Sequence, residues 1–404
     1  MEIKKDKEII ERILTKGVEQ ILPTEQALRD LLESSKRIKI YQGFDPTADT
    51  LHIGHTVGMR KLEDFRKLGH HIIFLIGDFT ARVGDPSDKT AVRQMLTKEQ
   101  VEENMKKYKE QASKIIDIDN KENPVEILYN SEWLEKLNFA DIIDLTSKFT
   151  VQQMIKRDMF QKRLENNKPI YINEFLYPVM QGYDCVVMDV DVEVGGNDQL
   201  FNMLAGRDLI MSELKKEKIV LAGKLLATAD GSKMGKSEGN MIKMNDTPED
   251  IYGKVMAFND DMIINAFEIL TLASIDEVKK HQERLDSKEN PMTLKKELAL
   301  RVTSEITSEE QAQKAQEYFE SIFQNQDKDA DIPTKEISQK EIPLNELLVE
   351  VKFAKSKSEA KRLIEQGAVK IDDKKITQYN YPIRASRPLN LRAGRQLCKI
   401  TYRP

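Results

Sequence analysis

The feature that most constrains this chain is an ordered triplet: an apolar run at residues 38–44, a helix-patterned stretch at about 56–67, and a second apolar run at 72–76. Strand, helix and strand in that order form a βαβ unit, which requires a parallel sheet with a crossover helix. The second run, Ile72-Ile73-Phe74-Leu75-Ile76, is continuously apolar, as a strand buried on both faces must be. Between the first strand and the helix lies Asp45-Pro46-Thr47-Ala48-Asp49-Thr50-Leu51-His52-Ile53-Gly54-His55. A helix opening there presents unpaired first-turn N–H groups and the positive end of its dipole, a ready place for phosphate. Gly54 admits a ligand close to the backbone, and His52 and His55, three apart, share one side of the helix.

The alternation continues downstream. Thr97 followed by Gln100 is a capping-box signature that opens a long charged helix to about residue 116. A strand at 125–129, a helix from near Ser131 and mainly helical patterning over 135–176 follow. A strand at Glu193-Val194 runs into Gly195-Gly196-Asn197-Asp198-Gln199, another strand-to-helix turn. Residues 9–32 read as amphipathic helix broken near Pro23. Thr247-Pro248-Glu249-Asp250 is a helix start, with an N-cap, proline at the first position and acids in the first turn. Helical patterning then holds to about 322. Residues 324–340 are polar and charged and read as a linker. Two helices, 344–351 and 358–366, open a compact module from about 342.

Composition narrows the class. In 404 residues, 32% are charged and 40% hydrophobic, as in a soluble globular protein of two or three domains. No apolar run is long enough to span a membrane, and residues 1–11 are mixed-charge without a signal core, so a cytoplasmic location is expected. The two cysteines, Cys185 and Cys398, are far apart, which argues against a disulfide framework or a metal site. The net charge of −5 conceals an asymmetry: residues 351–404 hold 14 basic and 4 acidic side chains. A basic end on an acidic body points to a polyanionic partner, or else to a solvated, solubilising tail.

Four constellations carry chemistry. Thr47, His52 and His55 surround the first helix start. Tyr177, Gln181 and Asp184, spaced by four and three, lie on one helix face, where a hydroxyl, an amide and a carboxylate can hold a small polar molecule. Thr80 and Asp85 follow the strand at 72–76, at the end where open α/β sheets bind ligands. Lys233 and Lys236 stand among glycines as a cationic arm for a polyphosphate. Each has a bland alternative: a capped helix, a solvated face, an ordinary turn. The zincin, dinucleotide and P-loop patterns are all missing. Together the histidine-bearing helix start and the lysine arm suggest an enzyme that activates a substrate with ATP.

Their joint order resembles a known family. Residues 41–55 (YQGFDPTADTLHIGH), GDFTARVGDPS at 77–87, YPVMQGYD at 177–184, GGNDQ at 195–199 and KMGKS at 233–237 are similar to the motifs of bacterial-type tyrosyl-tRNA synthetases, class I enzymes. The resemblance spans nearly the whole chain, and its tail resembles the S-four type of RNA-binding module. It implies an α/β fold: a Rossmann-like parallel-sheet catalytic domain at 1–240, an α-helical anticodon-side domain at 241–325, a linker at 326–341 and a small α+β RNA-binding domain at 342–404.

The resemblance also implies roles. Tyr41 and Asp184 would bond the phenolic hydroxyl of tyrosine. Asp85, Tyr177 and Gln181 would hold its α-ammonium, with Thr80 and Asp45 close by and Gln199 near its carboxylate. Gly54, Gly196 and Asp198 would face ATP, with Asp198 near the ribose. Thr47, His52 and His55 would meet the nucleotide and its phosphates, and Lys233 and Lys236 the leaving pyrophosphate. Mg2+ would accompany ATP, with no protein-bound metal site. Lys352, Lys355, Lys357, Lys361 and Arg362 would contact tRNA, and the enzyme would be a homodimer. Two departures stand out: Gly235 replaces the middle serine of the lysine motif, and the interval from Asp184 to Gly195 is short. Rival readings are a nucleotidyltransferase acting without tRNA, an RNA-binding splicing factor with a vestigial site, and a tryptophan enzyme.

Overall fold

Six strands build the sheet that organises the larger part of the molecule: β1 (Val18–Leu22), β2 (Lys39–Phe44), β3 (His71–Ile76), β4 (Glu126–Tyr129), β5 (Val192–Gly196) and β6 (Ile219–Gly223). The computed structural model describes residues 2–88, 96–227, 241–323, 334–337, 339, 341–354, 356–372, 374–384, 388–394 and 396–402. These divide into two units, Met1–Gln313 and Lys314–Pro404. In the first, the strand order is β1-β6-β5-β2-β3-β4, parallel throughout except for β1, which runs antiparallel to β6. The chain winds from β2 outward through β3 to β4, then returns to the opposite side of β2 as β5 and β6. This reversal leaves a crevice beyond the carboxyl ends of β2 and β5, where open α/β sheets take their ligands.

The elements follow from local chemistry. β3 is buried along Ile72–Ile76, as its unbroken apolar run demands. The Ile53–Lys67 helix starts three residues before the patterned 56–67, because His52 serves as its N-cap. The Thr97 capping box forms as expected, but the helix it opens ends at Met105 and a second runs Tyr108–Ala112. The break lets Tyr108 donate to the Ala48 carbonyl (2.9 Å) and Gln111 accept from Leu51 N–H (2.7 Å), tethering the loop that leads to His52.

Two expectations need correction. Residues 9–32 are not one broken helix: helices Lys7–Thr15 and Glu25–Glu33 flank strand β1. Gly17, at φ +63°, ends the first helix, and the Val-Glu-Gln-Ile-Leu run is claimed by the exposed edge of β6. β6 itself, apolar and wholly buried, had no counterpart among the expected strands.

Helices Pro248–Met256, Ile263–Leu270, Ile275–Asp286 and Pro291–Ile306 follow, the first capped by Thr247. They belong to the same unit as the sheet. Buried polar bonds tie them to it: Lys16 Nζ donates to the Thr271 carbonyl (2.6 Å), and Arg60 pairs with Glu305 (2.8 Å). Lys61 Nζ donates likewise to the Ile13 carbonyl (2.8 Å), fixing the middle of the Ile53–Lys67 helix.

In the second unit, β7 (Thr334–Ile337), β8 (Glu341–Pro343), β9 (Val369–Ile371), β10 (Lys374–Lys375), β11 (Pro382–Arg384), β12 (Leu389–Ala393) and β13 (Gln396–Tyr402) form a sheet of order β10-β9-β12-β13-β7 and a β8–β11 pair. Helices Leu344–Glu350 and Lys357–Glu365 pack with them around Leu347, Leu348, Ile364, Leu391 and Ile400. β7 lies inside the span read as linker. Its polar sequence hides a strand because parallel pairing with β13 uses backbone groups, and Ile337 alone anchors it in the core.

His70, just before β3, has no exposed surface, and neither ring nitrogen has a hydrogen-bond partner among the described residues. Burial, reinforced by Arg37, pushes its pKa down to about 4. A histidine depressed in the folded state binds more protons when unfolded, so its contribution is intact above about pH 6.5 and is lost as pH falls towards 4. The full loss is about 3 kcal/mol. His70→Leu should therefore flatten the acid side of the stability profile, checked by comparing the fall in Tm from pH 7 to pH 5 in variant and parent.

Candidate active site

A cleft of about 380 Å³ opens at the carboxyl ends of the parallel strands, lined from β2 by Tyr41, Phe44 and Asp45, from β3 by Gly77 and Thr80, and from β5 by Gly195 and Gly196. Thr47, His52, Gly54, His55, Asp85, Tyr177, Gln181, Asp184, Asp198 and Gln199 line it too. Every expected small-molecule contact within the described residues thus reaches one cavity. Lys233 and Lys236 lie outside the described residues. The chain on either side of them meets the cleft, however: Lys224, Leu225 and Leu226 line it, and Lys243 bridges to His52. Ile53 N–H donates to the Ile242 carbonyl and Met244 N–H to that of Leu51, both at 2.9 Å.

The helix start is built from its own histidines. His52 Nδ1 accepts from Gly54 N–H (3.1 Å), and His55 Nδ1 accepts from His52 N–H (3.1 Å). The two rings stack at 3.7 Å. A neutral imidazole that accepts at Nδ1 carries its proton at Nε2, so each ring has a donor edge suited to an anion. A methyl group at Gly54 would come within 3.0 Å of the His52 ring. Glycine is therefore what allows ring and backbone to crowd together.

A second network fixes the middle of the cleft. Asp45 accepts from the Thr80 hydroxyl (2.7 Å) and the Tyr177 hydroxyl (2.8 Å). Asn130 donates to Thr80 Oγ1 (3.0 Å) and to Asp184 Oδ2 (3.2 Å), while Trp133 Nε1 donates to Asp184 Oδ1 (2.7 Å). Asp85 accepts from Gln199 Nε2 (2.6 Å), and Asn202 donates to Gln199 Oε1 (2.9 Å). The helix face bearing Tyr177, Gln181 and Asp184 is no solvated face: Tyr177 and Asp184 are buried. Burial drives Asp184 well above the usual carboxylate range, outweighing the bonds from Trp133 and Asn130. Burial, with Asp45 and Asp85 nearby, likewise raises Tyr177.

Behind this lies a third group that sequence reasoning missed. Tyr41 Oη donates to Glu193 Oε1 (2.6 Å), as does Gln181 Nε2 (2.8 Å), and Cys185 Sγ sits 2.9 Å from the same hydroxyl. Lys218 Nζ donates to Glu193 Oε2 and to the Met203 carbonyl (3.0 Å). One signal was available: Glu193 is a charged residue in a strand otherwise buried, which demands a partner. Asn130 and Trp133, at one short helix, and Asn202, on another, gave none.

In the second unit Lys352, Lys357, Lys361 and Arg362 are exposed. Lys357 pairs with Glu346 (2.6 Å), and Lys361 sits over the Tyr379 ring. Lys355 lies outside the described residues.

Comparison with known proteins gives matches over most of the chain. The profile described as tRNA synthetases class I (W and Y) matches residues 33–324, and that of the Tyrosine--tRNA ligase SYY-like C-terminal domain matches 324–392. The chain is 42% identical over 387 residues to a tyrosine–tRNA ligase of Thermotoga maritima, covering 95% of each. It is 42% identical over 389 residues to one of Chlorobaculum tepidum, covering 95% of this chain and 94% of that one. The crystal structure of a C-terminally truncated mitochondrial tyrosyl-tRNA synthetase of Aspergillus nidulans shares the fold, with TM-score 0.64 and 21% identity over 78% of this chain and 94% of that one.

Tyr41, Tyr108 and Tyr177 are all buried and raised above the ordinary tyrosine range, chiefly by burial. An acid held protonated by the fold stabilises it fully below about pH 10 and less as pH climbs, because the unfolded chain then sheds the proton. Alkaline titration followed at 295 nm should show these three of the eleven tyrosines ionising only as the protein unfolds. Tyr41→Phe and Tyr177→Phe should each leave the pre-unfolding amplitude unchanged and reduce the later one.

Proposed function

This chain belongs to the class I tRNA synthetases of the tryptophan and tyrosine type, and from that premise we propose that its cleft joins L-tyrosine to ATP and passes the tyrosyl group to tRNA. The activity is that of a tyrosine–tRNA ligase. The observation that carries the site reading is a shared cavity: Tyr41 and Asp184 line the same space as His52, Gly54 and His55 of the helix start.

Tyr41 and Asp184 read the phenolic hydroxyl. Asp85, Tyr177 and Gln181 hold the α-ammonium, with Asp45 and Thr80 behind Tyr177 and Gln199 beside the carboxylate. That carboxylate attacks the α-phosphorus of ATP, and the bond to the bridging oxygen breaks, releasing pyrophosphate. The nucleophile is the substrate's own, so positioning and stabilisation of growing phosphate charge do the work. Thr47 and the donor edges of His52 and His55 serve the phosphates, Gly54 and Gly196 admit the nucleotide, and Asp198 meets its ribose. Lys233 and Lys236 take the leaving pyrophosphate. Mg2+ carried on the ATP phosphates would offset their charge; among the described residues no His, Cys, Asp or Glu cluster is spaced for a metal. In the second step the terminal ribose hydroxyl of tRNA attacks the activated carbonyl, and AMP leaves.

Lys352, Lys355, Lys357, Lys361 and Arg362 contact tRNA phosphates. The hydroxyl-reading end of the recess favours tyrosine over tryptophan, and the basic second unit favours a tRNA substrate over adenylation alone. Among the described residues no helix is long and apolar enough to cross a membrane. Phe139, Ile143, Val151 and Ile172 expose 56–80% of their surface between residues 139 and 172, and a second copy of the chain is their natural cover.

Pyrophosphate exchange should depend on tyrosine and on no other amino acid; exchange indifferent to tyrosine would end this reading. Removing four charges together (Lys352→Ala, Lys357→Ala, Lys361→Ala, Arg362→Ala) should leave exchange intact while raising the KM for tRNA about tenfold or more and shallowing its salt dependence. For the dimer, sedimentation equilibrium should give a mass of two chains for the parent and one for Phe139→Glu with Ile172→Glu.

A further inference from the structure

Behind the cleft, Lys218 and Glu193 form an ion pair with 0% and 2% of their side chains exposed. So costly a burial needs a return that apolar packing would not give. The return is visible in the hydrogen bonds. Glu193 Oε2 faces the Lys218 ammonium, which has donors only. Glu193 Oε1 faces Gln181 Nε2, again a donor. With donors against both oxygens, the carboxyl has no room for a proton and accepts from every side. Tyr41 gives its single proton to Glu193 Oε1, and Cys185 Sγ lies 2.9 Å from the same oxygen. What Tyr41, a lining residue of the cleft, can still offer a ligand is a lone pair.

Resting on the reading of the cleft as a tyrosine site, we infer that the Lys218–Glu193 pair is a positioning device that sets the hydrogen-bond polarity of Tyr41, so that Tyr41 meets a ligand only as an acceptor. A substrate hydroxyl then satisfies it by donating, and the hydroxyl oxygen faces Asp184, whose carboxyl is shifted by burial towards the protonated, donating form. A bare ring leaves it unpaired, and a fluorine opposes it lone pair to lone pair. Burial alone would strip the proton from Lys218; Cys185 and Glu193 outweigh it and hold the proton on.

The fold is shaped to keep the pair in place. Gly206 lies over it: a methyl there would stand 2.6 Å from Lys218 Nζ, 2.8 Å from Cys185 Sγ and 3.4 Å from Glu193 Oε2. The absent side chain leaves just enough room for the ammonium. Lys218 touches no part of the cleft surface, so its influence passes through Glu193 to Tyr41 and Gln181.

The test uses the full chain, with Lys218→Met to remove the charge and Gly206→Ala to displace it. Pyrophosphate exchange is measured with tyrosine, 4-aminophenylalanine, phenylalanine and 4-fluorophenylalanine, alongside thermal melting. The parent should favour the two donors and reject the fluoro compound more strongly than phenylalanine. Lys218→Met should raise the KM for tyrosine about tenfold, leave kcat and the ATP KM within about twofold, and narrow the amino-to-fluoro ratio. Gly206→Ala should narrow that ratio too, and it decides the matter if Lys218→Met does not fold. An unchanged ratio in a folded variant, or an equal rise in KM for all four amino acids, overturns the inference. Parent enzyme indifferent to tyrosine would instead sink the underlying reading, and this inference with it.

Discussion

The reversal of winding between β2 and β5 is the constraint on which the rest depends. A parallel sheet buried on both faces offers its loops only at the strand ends, and loops from both directions of winding meet beyond β2. Asp45 leaves β2, Thr80 follows β3 and Asp198 follows β5, so three segments distant in sequence converge without any long excursion. The Asp45–Thr80–Tyr177 bonds then lock that convergence to the long helix packed over the sheet.

Polarity, more than shape, divides the cleft. At one end, the imidazole donor edges of His52 and His55 gather at the start of the Ile53–Lys67 helix, whose first N–H groups are already taken by Ile242 and His52. At the other, the oxygens of Tyr41, Asp184 and Glu193 gather, and each has bonds already committed to fixed partners. Such preorganisation lets a site act without rearranging when charge develops. It is purchased with buried polar groups, which explains why Asn130, Trp133 and Gln181 each donate to a carboxyl oxygen.

Much of this was legible in the sequence. An apolar run was enough for β2 and β3, and cap chemistry alone marked the Thr247 helix start. The cleft residues were legible wherever they sat in a continuous motif. What escaped was set by tertiary partners. β1 carries a pattern that suits a helix as well, and only the open edge of β6 decides it. β7 has one apolar residue and is held by backbone pairing. Glu193, Cys185 and Lys218 make a unit only when strand, helix and strand are brought together, and no spacing along the chain announces it.

The stacked histidines at the mouth of the helix have a consequence for substitution there. The nitrogen that holds a backbone N–H in each ring must be bare, so the ring proton is confined to the opposite edge. Bracing the chain and choosing the tautomer are one act. Swapping either ring for a side chain of like size without that nitrogen would strip the entrance of its brace and its donor together.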